Sequence, residues 1–171
     1  MDLKALIREV PDFPQAGIIF RDITPLLGDP AGLRLAIDGM VELAREHQPD
    51  CIVGIESRGF IFGVPIADRL GLPFVPVRKP GKLPAARMSI EYSLEYGQSQ
   101  LDIHQDAMAP GARALIVDDL LATGGTALAA AKLVEMVGGI VAGFAFAIEL
   151  DSLGGRAKLS PYTAKSLIRY V

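Results

Sequence analysis

The residues best suited to chemistry lie together between Val117 and Thr126, where the sequence reads Val-Asp-Asp-Leu-Leu-Ala-Thr-Gly-Gly-Thr. The apolar run over 114–117 predicts a buried strand that leads into two adjacent acids. The stretch from Thr123 to Thr126 then predicts a turn of small residues at the start of a helix. Backbone N–H groups, hydroxyls and the helix dipole favour an anion such as phosphate at that position. Glycines allow the backbone to approach the anion closely.

The two acids, Asp118 and Asp119, add a second function to the same segment. Ligands of open α/β sheets bind at the carboxyl ends of the strands, and carboxylates there can accept hydrogen bonds from sugar hydroxyls. The segment therefore predicts a site for a phosphorylated sugar. The alternative is that the acids only cap a helix and the glycines only form a turn. The apolar strand in front of Asp118 favours the binding site.

Two groups of basic residues predict further contacts with anions. Segment 57–59 follows an apolar strand and opens a helix, and its Arg58 can bind an anion through two parallel hydrogen bonds. Arg78, Lys79 and Lys82 concentrate positive charge in a chain that is acidic overall. The alternative for both groups is that they are solvated surface residues.

The elements that position these residues are predicted from apolar periodicity. Residues 2–10 predict a helix that ends at Pro11, residues 11–27 an irregular loop, and Asp29-Pro30 the start of a helix. Further strands are predicted at 51–55, 74–77, 114–117 and 140–150, and further helices at 60–70 and 123–137. This alternation predicts an α/β fold with a mainly parallel twisted sheet, covered by helices on both faces.

A long excursion interrupts the alternation between residues 79 and 105. Two alternating stretches inside it, at 88–92 and 100–104, predict two strands with a mobile, polar tip. Because long loops inserted in compact α/β domains are usually either functional lids or disordered segments, this segment is a second candidate region for the site.

The composition excludes several classes of protein. A net charge of −3 over 171 residues argues against a general nucleic-acid binder, and one cysteine excludes a disulfide framework. The longest uncharged stretch, 136–148, is shorter than the about 20 apolar residues of a membrane-spanning helix. We expect one domain over residues 1–171 and a soluble, cytoplasmic protein. Because half of the residues are apolar, we also expect an oligomer.

The segment 117–126 resembles the phosphoribosyl-pyrophosphate signature of the type I phosphoribosyltransferases, and other segments are similar to their adenine-specific branch. These segments are Pro11 to Pro14, Gly17 to Leu27, Gly54 to Phe60, Val77 to Pro84 and Tyr92 to Gly97. The resemblance implies the type I phosphoribosyltransferase fold with a flexible lid hairpin. It also implies a reaction of purine salvage, in which adenine N9 displaces pyrophosphate from phosphoribosyl pyrophosphate and gives AMP.

The resemblance also implies ligand-binding roles for individual residues. Asp118 and Asp119 would bind the ribose hydroxyls. The 5′-phosphate would be bound by Ala122, Thr123, Gly124, Gly125 and Thr126. The pyrophosphate would be approached by Ser57, Arg58, Arg78, Lys79 and Lys82. One of the three cations in 78–82 would reach the site of a partner subunit in a homodimer. Mg²⁺ would be held mainly by substrate oxygens and water, with no metal site built from protein groups alone.

The remaining implied roles concern adenine. In the lid, Glu95 would exchange the N7 or N9 proton of adenine, and Tyr96 would help to close the site. The base itself would lie against Ile19, Phe20, Arg21, Leu120 and Leu150. The Ile19 backbone would read the amine and Arg21 a ring nitrogen. Phe20 could equally belong to the core, and Glu95 could be an exposed lid residue without a chemical role.

Two other functions remain alternatives at this stage. A regulator that senses phosphoribosyl pyrophosphate without catalysis would normally carry a DNA-binding helix-turn-helix or a basic face, and neither is evident in this sequence. A sister transferase would act on a 6-oxopurine or on orotate. Segments 17–27 and 94–97 argue against the sister transferase.

Overall fold

Five apolar strands build a parallel sheet in the computed structural model of this chain, which describes residues 1–94 and 97–171. The chain forms two compact units, Met1–Gly39 and Met40–Val171. The sheet belongs entirely to the second unit. Within the described residues, no helix combines the length and apolar character that crossing a membrane requires.

The first unit contains a short antiparallel ribbon that the sequence did not predict. A 3-10 helix at Leu3–Leu6 is followed by β1 (Arg8–Pro11), which pairs with β2 (Ile19–Asp22). The predicted helix over 2–10 is therefore wrong beyond Leu6, because its last residues hydrogen-bond across to β2 instead of along a helix.

The prediction of an irregular loop over 11–27 is also wrong. This range includes β2 and most of α1 (Thr24–Gly28). The predicted helix start at Asp29-Pro30 is confirmed. Helix α2 spans Pro30–Glu46, and Asp29 Oδ1 accepts a hydrogen bond from the Ala31 N–H at 3.0 Å.

The second unit contains the predicted alternation of strands and helices. Its elements are β3 (Cys51–Ile55), α3 (Arg58–Leu70), β4 (Phe74–Val77), β5 (Arg87–Leu94), β6 (Gly97–His104), β7 (Arg113–Leu121), α4 (Gly125–Met136), β8 (Ile140–Leu150), a 3-10 helix (Asp151–Leu153), α5 (Gly155–Lys158) and β9 (Ala164–Tyr170). The sheet order is β4-β3-β7-β8-β9, and all neighbours are parallel. The α/β fold class is confirmed.

Helices cover both faces of the sheet, as predicted. Val53 and Ile55 of β3 belong to the apolar core that includes the alanines of α4. A Cβ added to Gly54, between them, would instead lie 3.2 Å from Phe60 of α3. Because neighbouring strand residues point to opposite faces, α3 and α4 lie on opposite faces of the sheet.

The excursion over 79–105 contains the two strands that its alternation predicts. β5 and β6 pair in antiparallel register from Arg87 with His104 to Leu94 with Gly97. Met88, Ile90 and Tyr92 pack against the core on the α4 side. Glu95 and Tyr96 lie outside the described residues.

A buried carboxylate joins β8, β9 and α5 at the carboxyl edge of the sheet. Glu149, only 2% exposed, accepts hydrogen bonds from Arg156 and, at 2.5 Å, from Ser166. Arg156 also donates to the Ala164 carbonyl. Burial alone would raise the pKa of Glu149, but the bonds from Arg156 and Ser166 and the nearby arginine charges lower it below its ordinary value.

We expect Glu149→Gln to lower the free energy of unfolding by about 1–3 kcal/mol at pH 7, because a buried arginine contact loses its charged acceptor. Asp151→Asn is the matched control. Asp151 pairs with Arg169 at 2.7 Å in a more exposed position, so its loss should cost below about 1 kcal/mol. Urea unfolding measures both values.

Wild type and Glu149→Gln, compared over a range of pH, also test the pKa of Glu149. Because the folded-state pKa is lowered, the stabilisation by Glu149 is present above the ordinary value of 4.5 and is lost as the pH falls through the folded value. The stability difference between wild type and Glu149→Gln should therefore shrink below pH 4.5. A difference that stayed constant down to pH 3 would contradict this assignment.

Candidate active site

A cleft of about 410 Å³ opens at the carboxyl edge of the sheet in the second unit. Segments that follow three strands line it, namely 57–58 after β3, Lys79 after β4, and 122–127 after β7. Tyr92 and Ser99 of the β5–β6 hairpin complete the wall. The segments meet because parallel strands bring their carboxyl ends to one edge, as the sequence analysis expects for a ligand site.

The loop from Ala122 to Thr126 lies in this cleft and leads into α4. Gly124 is the N-cap residue of α4 and has a φ of 85°, a left-handed conformation that glycine adopts without strain. Because the cap residue has no side chain, the first N–H groups of the helix are not capped by it. The loop therefore presents backbone donors and the positive end of a helix dipole to the cleft.

A second glycine allows another turn to support this loop from behind. A Cβ added to Gly155 would collide with the Ala122 carbonyl oxygen and come within 2.8 Å of Leu121 Cδ1. A Cβ added to Gly124 would lie 2.8 Å from the Gly155 carbonyl oxygen. The two backbones are in direct contact, so the start of α5 fixes the shape of the loop from Ala122 to Thr126, which we call the anion loop. Arg156, next in the chain, anchors this turn to Glu149.

The paired acids lie within β7, which extends to Leu121 rather than ending at residue 117 as the sequence predicts. The strand continues because its pairing with β8 runs on to Leu121 and Glu149. Asp119 is 5% exposed, and its Oδ2 accepts a hydrogen bond from Arg58 Nε at 2.5 Å. Asp118 Oδ1 accepts the Asp119 N–H at 2.9 Å.

The two carboxylates differ in their electrostatic environment. Burial, and then the neighbouring Asp119 charge, raise the pKa of Asp118 well above its ordinary value. Asp119 instead faces the Arg58 guanidinium. The two adjacent carboxyl groups therefore have different surroundings, and both offer oxygens that can accept hydrogen bonds from a sugar.

The three loop cations have different surroundings. Arg78 donates from Nε and Nη2 to the Glu56 carboxylate, at 3.2 Å each, and from Nη1 to the Lys82 carbonyl. Its backbone also pairs with Asp102 of β6. Lys79 lines the cleft, whereas Lys82 is exposed outside it.

Glu56 shares this contact with the loop after β4. Its carboxylate accepts the Lys79 N–H at 3.0 Å as well as the bonds from Arg78. Burial alone would raise the pKa of Glu56, but these hydrogen bonds and charges hold it below its ordinary value. An ionised Glu56, which lines the cleft, therefore binds the Arg78 side chain, which is not itself one of the lining residues.

The structure brings together most of the residues predicted for the site. The predicted residues that line the cleft are Ser57, Arg58, Lys79, Asp118, Asp119, Leu120, Ala122, Thr123, Gly124, Gly125 and Thr126. Leu150 ends β8 and is partly buried beside the chain's turn into Asp151. Glu95 and Tyr96 lie outside the described residues.

The predicted base-reading residues of the first unit lie on β2. Ile19 is half exposed, Phe20 packs edge-on against Phe13 with ring centroids 5.2 Å apart, and Arg21 pairs with Glu9. The aromatic contact shows that Phe20 has a packing partner within its own unit. A role in binding the base stays a prediction for all three residues.

Sequence reasoning missed three residues that shape the cleft. Glu56 holds Arg78, Gly155 supports the anion loop, and Tyr92 reaches Thr126 through its hydroxyl. Tyr92 and Glu56 both lie in segments with family resemblance, which is the signal that could have found them, whereas Gly155 lies outside those segments. All three act through partners that are distant in sequence.

The acidic side chains of the protein determine how the cleft could hold a metal ion. Within residues 1–94 and 97–171, no group of three His, Cys, Asp or Glu side chains lies close enough together to hold a metal ion. The two adjacent carboxylates of β7 fit a cation poorly, because Asp119 is paired with Arg58 and the pKa of Asp118 is raised. A divalent ion would fit this cleft together with a ligand that supplies its own oxygens.

Comparisons with known proteins agree with this geometry. Residues 26–166 match the model of the phosphoribosyl transferase domain family. A curated relative, the adenine phosphoribosyltransferase of Synechococcus sp., is 59% identical over 170 residues, which cover 99% of each chain.

Solved structures show the same relationship. The adenine phosphoribosyltransferase of Thermoanaerobacter pseudethanolicus superposes with a TM-score of 0.95 at 54% identity, covering 98% of each chain. The enzyme from Saccharomyces cerevisiae, complexed with an imino-altritol bisphosphate and adenine, gives a TM-score of 0.91 at 41% identity, covering 96% of each chain.

The fold and the cleft thus define a phosphoribosyl transferase domain. Within that class, the chain belongs to the adenine phosphoribosyltransferase family.

The contact between Gly155 and the anion loop leads to a prediction. We expect Gly155→Ala to raise the KM for phosphoribosyl pyrophosphate about tenfold or more, because the new methyl group must displace the Ala122 carbonyl and misplace the loop. Steady-state kinetics with varied phosphoribosyl pyrophosphate measures this effect.

Gly154→Asn is the control for this substitution. Gly154 has a φ of 69°, which asparagine tolerates, and nothing lies within 4 Å of a Cβ at this position. Its KM should stay near the wild-type value. Equal KM values for wild type and Gly155→Ala, with melting temperatures unchanged, would contradict the supporting role of Gly155.

Proposed function

We propose that the cleft at the carboxyl edge of the sheet is where this enzyme performs the reaction of its family. An adenine phosphoribosyltransferase is a pentosyltransferase of purine salvage that converts adenine and phosphoribosyl pyrophosphate into AMP and pyrophosphate. The observation that carries the proposal is the placement of the 122–126 loop, the Asp118–Asp119 pair and Arg58 around one cleft of about 410 Å³.

The anion loop holds one end of the sugar phosphate. In this proposal the backbone N–H groups of 122–126 and the hydroxyls of Thr123 and Thr126 bind the 5′-phosphate. The adjacent acids, Asp118 and Asp119, bind the 2′- and 3′-hydroxyls of the ribose. This arrangement leaves the C1 atom of the sugar between the base and the pyrophosphate, so that positioning provides much of the catalysis.

The cations act at the other end of the sugar. As adenine N9 attacks C1, the bond from C1 to the pyrophosphate oxygen breaks, and negative charge develops on the leaving group. Arg58, at the start of α3, is proposed to exchange its bond to Asp119 for one to the pyrophosphate. Among the three loop cations, Lys79 is the one proposed to reach pyrophosphate in its own subunit, since it lines the cleft while Arg78 is held by Glu56.

Leu120 and Leu150 of the second unit are proposed to contact the base. A role in reading the base is proposed for Ile19, Phe20 and Arg21 of the first unit. Apolar side chains would cover the faces of the ring, and the Ile19 backbone and Arg21 would read its edge. In the lid, Glu95 is proposed to exchange a proton with N7 or N9 of adenine, and Tyr96 to help to exclude water. A carboxylate that is desolvated by closure has a raised pKa, which suits proton transfer.

Three further proposals concern the setting of the reaction. Mg²⁺ would be held mainly by oxygens of phosphoribosyl pyrophosphate and by water, and it would neutralise part of the pyrophosphate charge. The chain forms a homodimer, which is supported by large apolar side chains such as Val64 and Ile140 that are about half exposed. A cytoplasmic location is supported by the single cysteine, which fits a reducing compartment.

The function is tested by incubating the chain with phosphoribosyl pyrophosphate, Mg²⁺ and each nucleobase in turn. We expect AMP and pyrophosphate from adenine alone, and no product when a chelator removes Mg²⁺. Turnover with a 6-oxopurine or orotate would instead identify a sister transferase. Tight binding of phosphoribosyl pyrophosphate without turnover of any base would identify a sensor.

The role of Glu95 is tested by Glu95→Gln, which keeps the size of the side chain but cannot transfer a proton. We expect kcat to fall about 100-fold, the lower range for loss of a general acid or base, with the KM for phosphoribosyl pyrophosphate little changed. Glu91→Gln is the matched control, because Glu91 is an exposed acid of the same hairpin. Turnover of Glu95→Gln near the wild-type rate would refute the acid–base role.

A further inference from the structure

One hydrogen bond connects the β5–β6 hairpin to the anion loop. The Tyr92 hydroxyl lies 3.2 Å from Thr126 Oγ1, and either oxygen can be the donor. Tyr92 also lines the cleft. No role follows for Tyr92 from the resemblance, although Thr126 is one of the residues predicted to bind the 5′-phosphate.

The packing of β5 along α4 explains why the two hydroxyls meet. Along β5, the partly buried residues alternate at Met88, Ile90 and Tyr92, and all three pack against the core on the α4 side. Tyr92 is the one nearest the hairpin tip, and its hydroxyl reaches the first turn of α4. The next carbonyl, that of Ser93, would lie 3.6 Å from a Cβ on Gly125, so the backbones also stay close.

The direction of this hydrogen bond depends on what occupies the loop. A threonine hydroxyl has one proton to donate and lone pairs to accept, and a tyrosine hydroxyl has the same capacity. An ionised phosphate offers only acceptors. If the Tyr92 O–H donates to Thr126 Oγ1, the Thr126 proton is left for a phosphate oxygen, and both hydroxyls are used without conflict.

We propose that Tyr92 is a positioning residue for the 5′-phosphate, which orients the Thr126 hydroxyl as a donor toward the bound phosphate. This inference rests on the proposed function for the identity of the ligand, a ribose 5-phosphate group. Tyr92 itself acts through Thr126. The β5–β6 hairpin is thereby part of the phosphate subsite as well as a wall of the cleft.

The proposal is tested by Tyr92→Phe, which removes one oxygen and keeps the ring packed on α4. We expect the KM for phosphoribosyl pyrophosphate and the calorimetric Kd for ribose 5-phosphate to rise about 3- to 10-fold, the range for one hydrogen bond to an anion-binding group. The KM for adenine should stay within about twofold, because the lost bond lies at the phosphate end.

Tyr162→Phe is the matched control. The Tyr162 hydroxyl bonds to Glu135, near the opposite end of α4, so its loss removes a similar contact from the same helix away from the cleft. Both its KM and its Kd should stay at the wild-type values. Equal weakening in Tyr92→Phe and Tyr162→Phe would mean that any loosening of α4 has this effect, and it would overturn the proposal.

A double-mutant cycle with Thr126→Val tests whether Tyr92 acts through Thr126. We expect Thr126→Val to weaken ribose 5-phosphate binding by itself and Tyr92→Phe to add little in that background. Independent, additive losses would overturn the proposal, as would unchanged binding in Tyr92→Phe. The measurement of ribose 5-phosphate binding needs no turnover. A chain that failed to convert adenine would therefore refute the proposed reaction, while the binding data would still test the role of Tyr92.

Discussion

The backbone between Leu121 and Gly125 has to leave a buried strand and enter a helix while its N–H groups face an open cleft. The other parts of the site depend on this constraint. Side chains cannot satisfy those donors, because they would fill the space that an anion needs. Glycine at 124 provides the left-handed turn, and glycine at 155 provides the space behind it. Rigidity therefore comes from backbone packing, which holds the donors in place before a ligand arrives.

The charged side chains near the cleft are also held in place by contacts within the protein. Asp119 holds Arg58, and Glu56 holds Arg78, so two of the cations suited to a polyanion are paired before it binds. Such pairs keep each guanidinium in a defined position and spare it the entropy of ordering at the moment of binding. Under the proposed function, pyrophosphate binding would therefore be an exchange of partners, in which the anion competes with a carboxylate already in place.

The sequence predicted the sheet better than its surroundings. Buried parallel strands read as apolar runs, so 51–55 and 140–150 were evident from composition alone. β1 and β2 were missed because their pairing joins residues that carry no alternation, and residues 3–10 happen to show helical spacing. β9 was missed because the stretch from Ala164 to Tyr170 mixes polar and apolar residues without a period.

Within the site too, the residues that sequence patterns could not predict are those that act through contacts distant in sequence. The 118–126 segment was predictable because its chemistry is contiguous along the chain. Gly155 and Glu56 act through contacts with Ala122 and Arg78, and no local pattern reports a contact between distant segments. The extension of β7 through the two acids likewise depends on β8, which lies further along the chain.

The anchoring of Glu149 and Arg156 to β9 has a consequence for the order in which the protein matures on the ribosome. β7, the anion loop and α4 are synthesised well before Ala164 and Ser166, which complete the bonds around Arg156 and Glu149. Until those residues emerge and join the sheet edge, the turn at Gly155 lacks its anchor. A nascent chain can thus build most of the sheet early, yet the turn behind the 122–126 loop is anchored only when the edge strand docks.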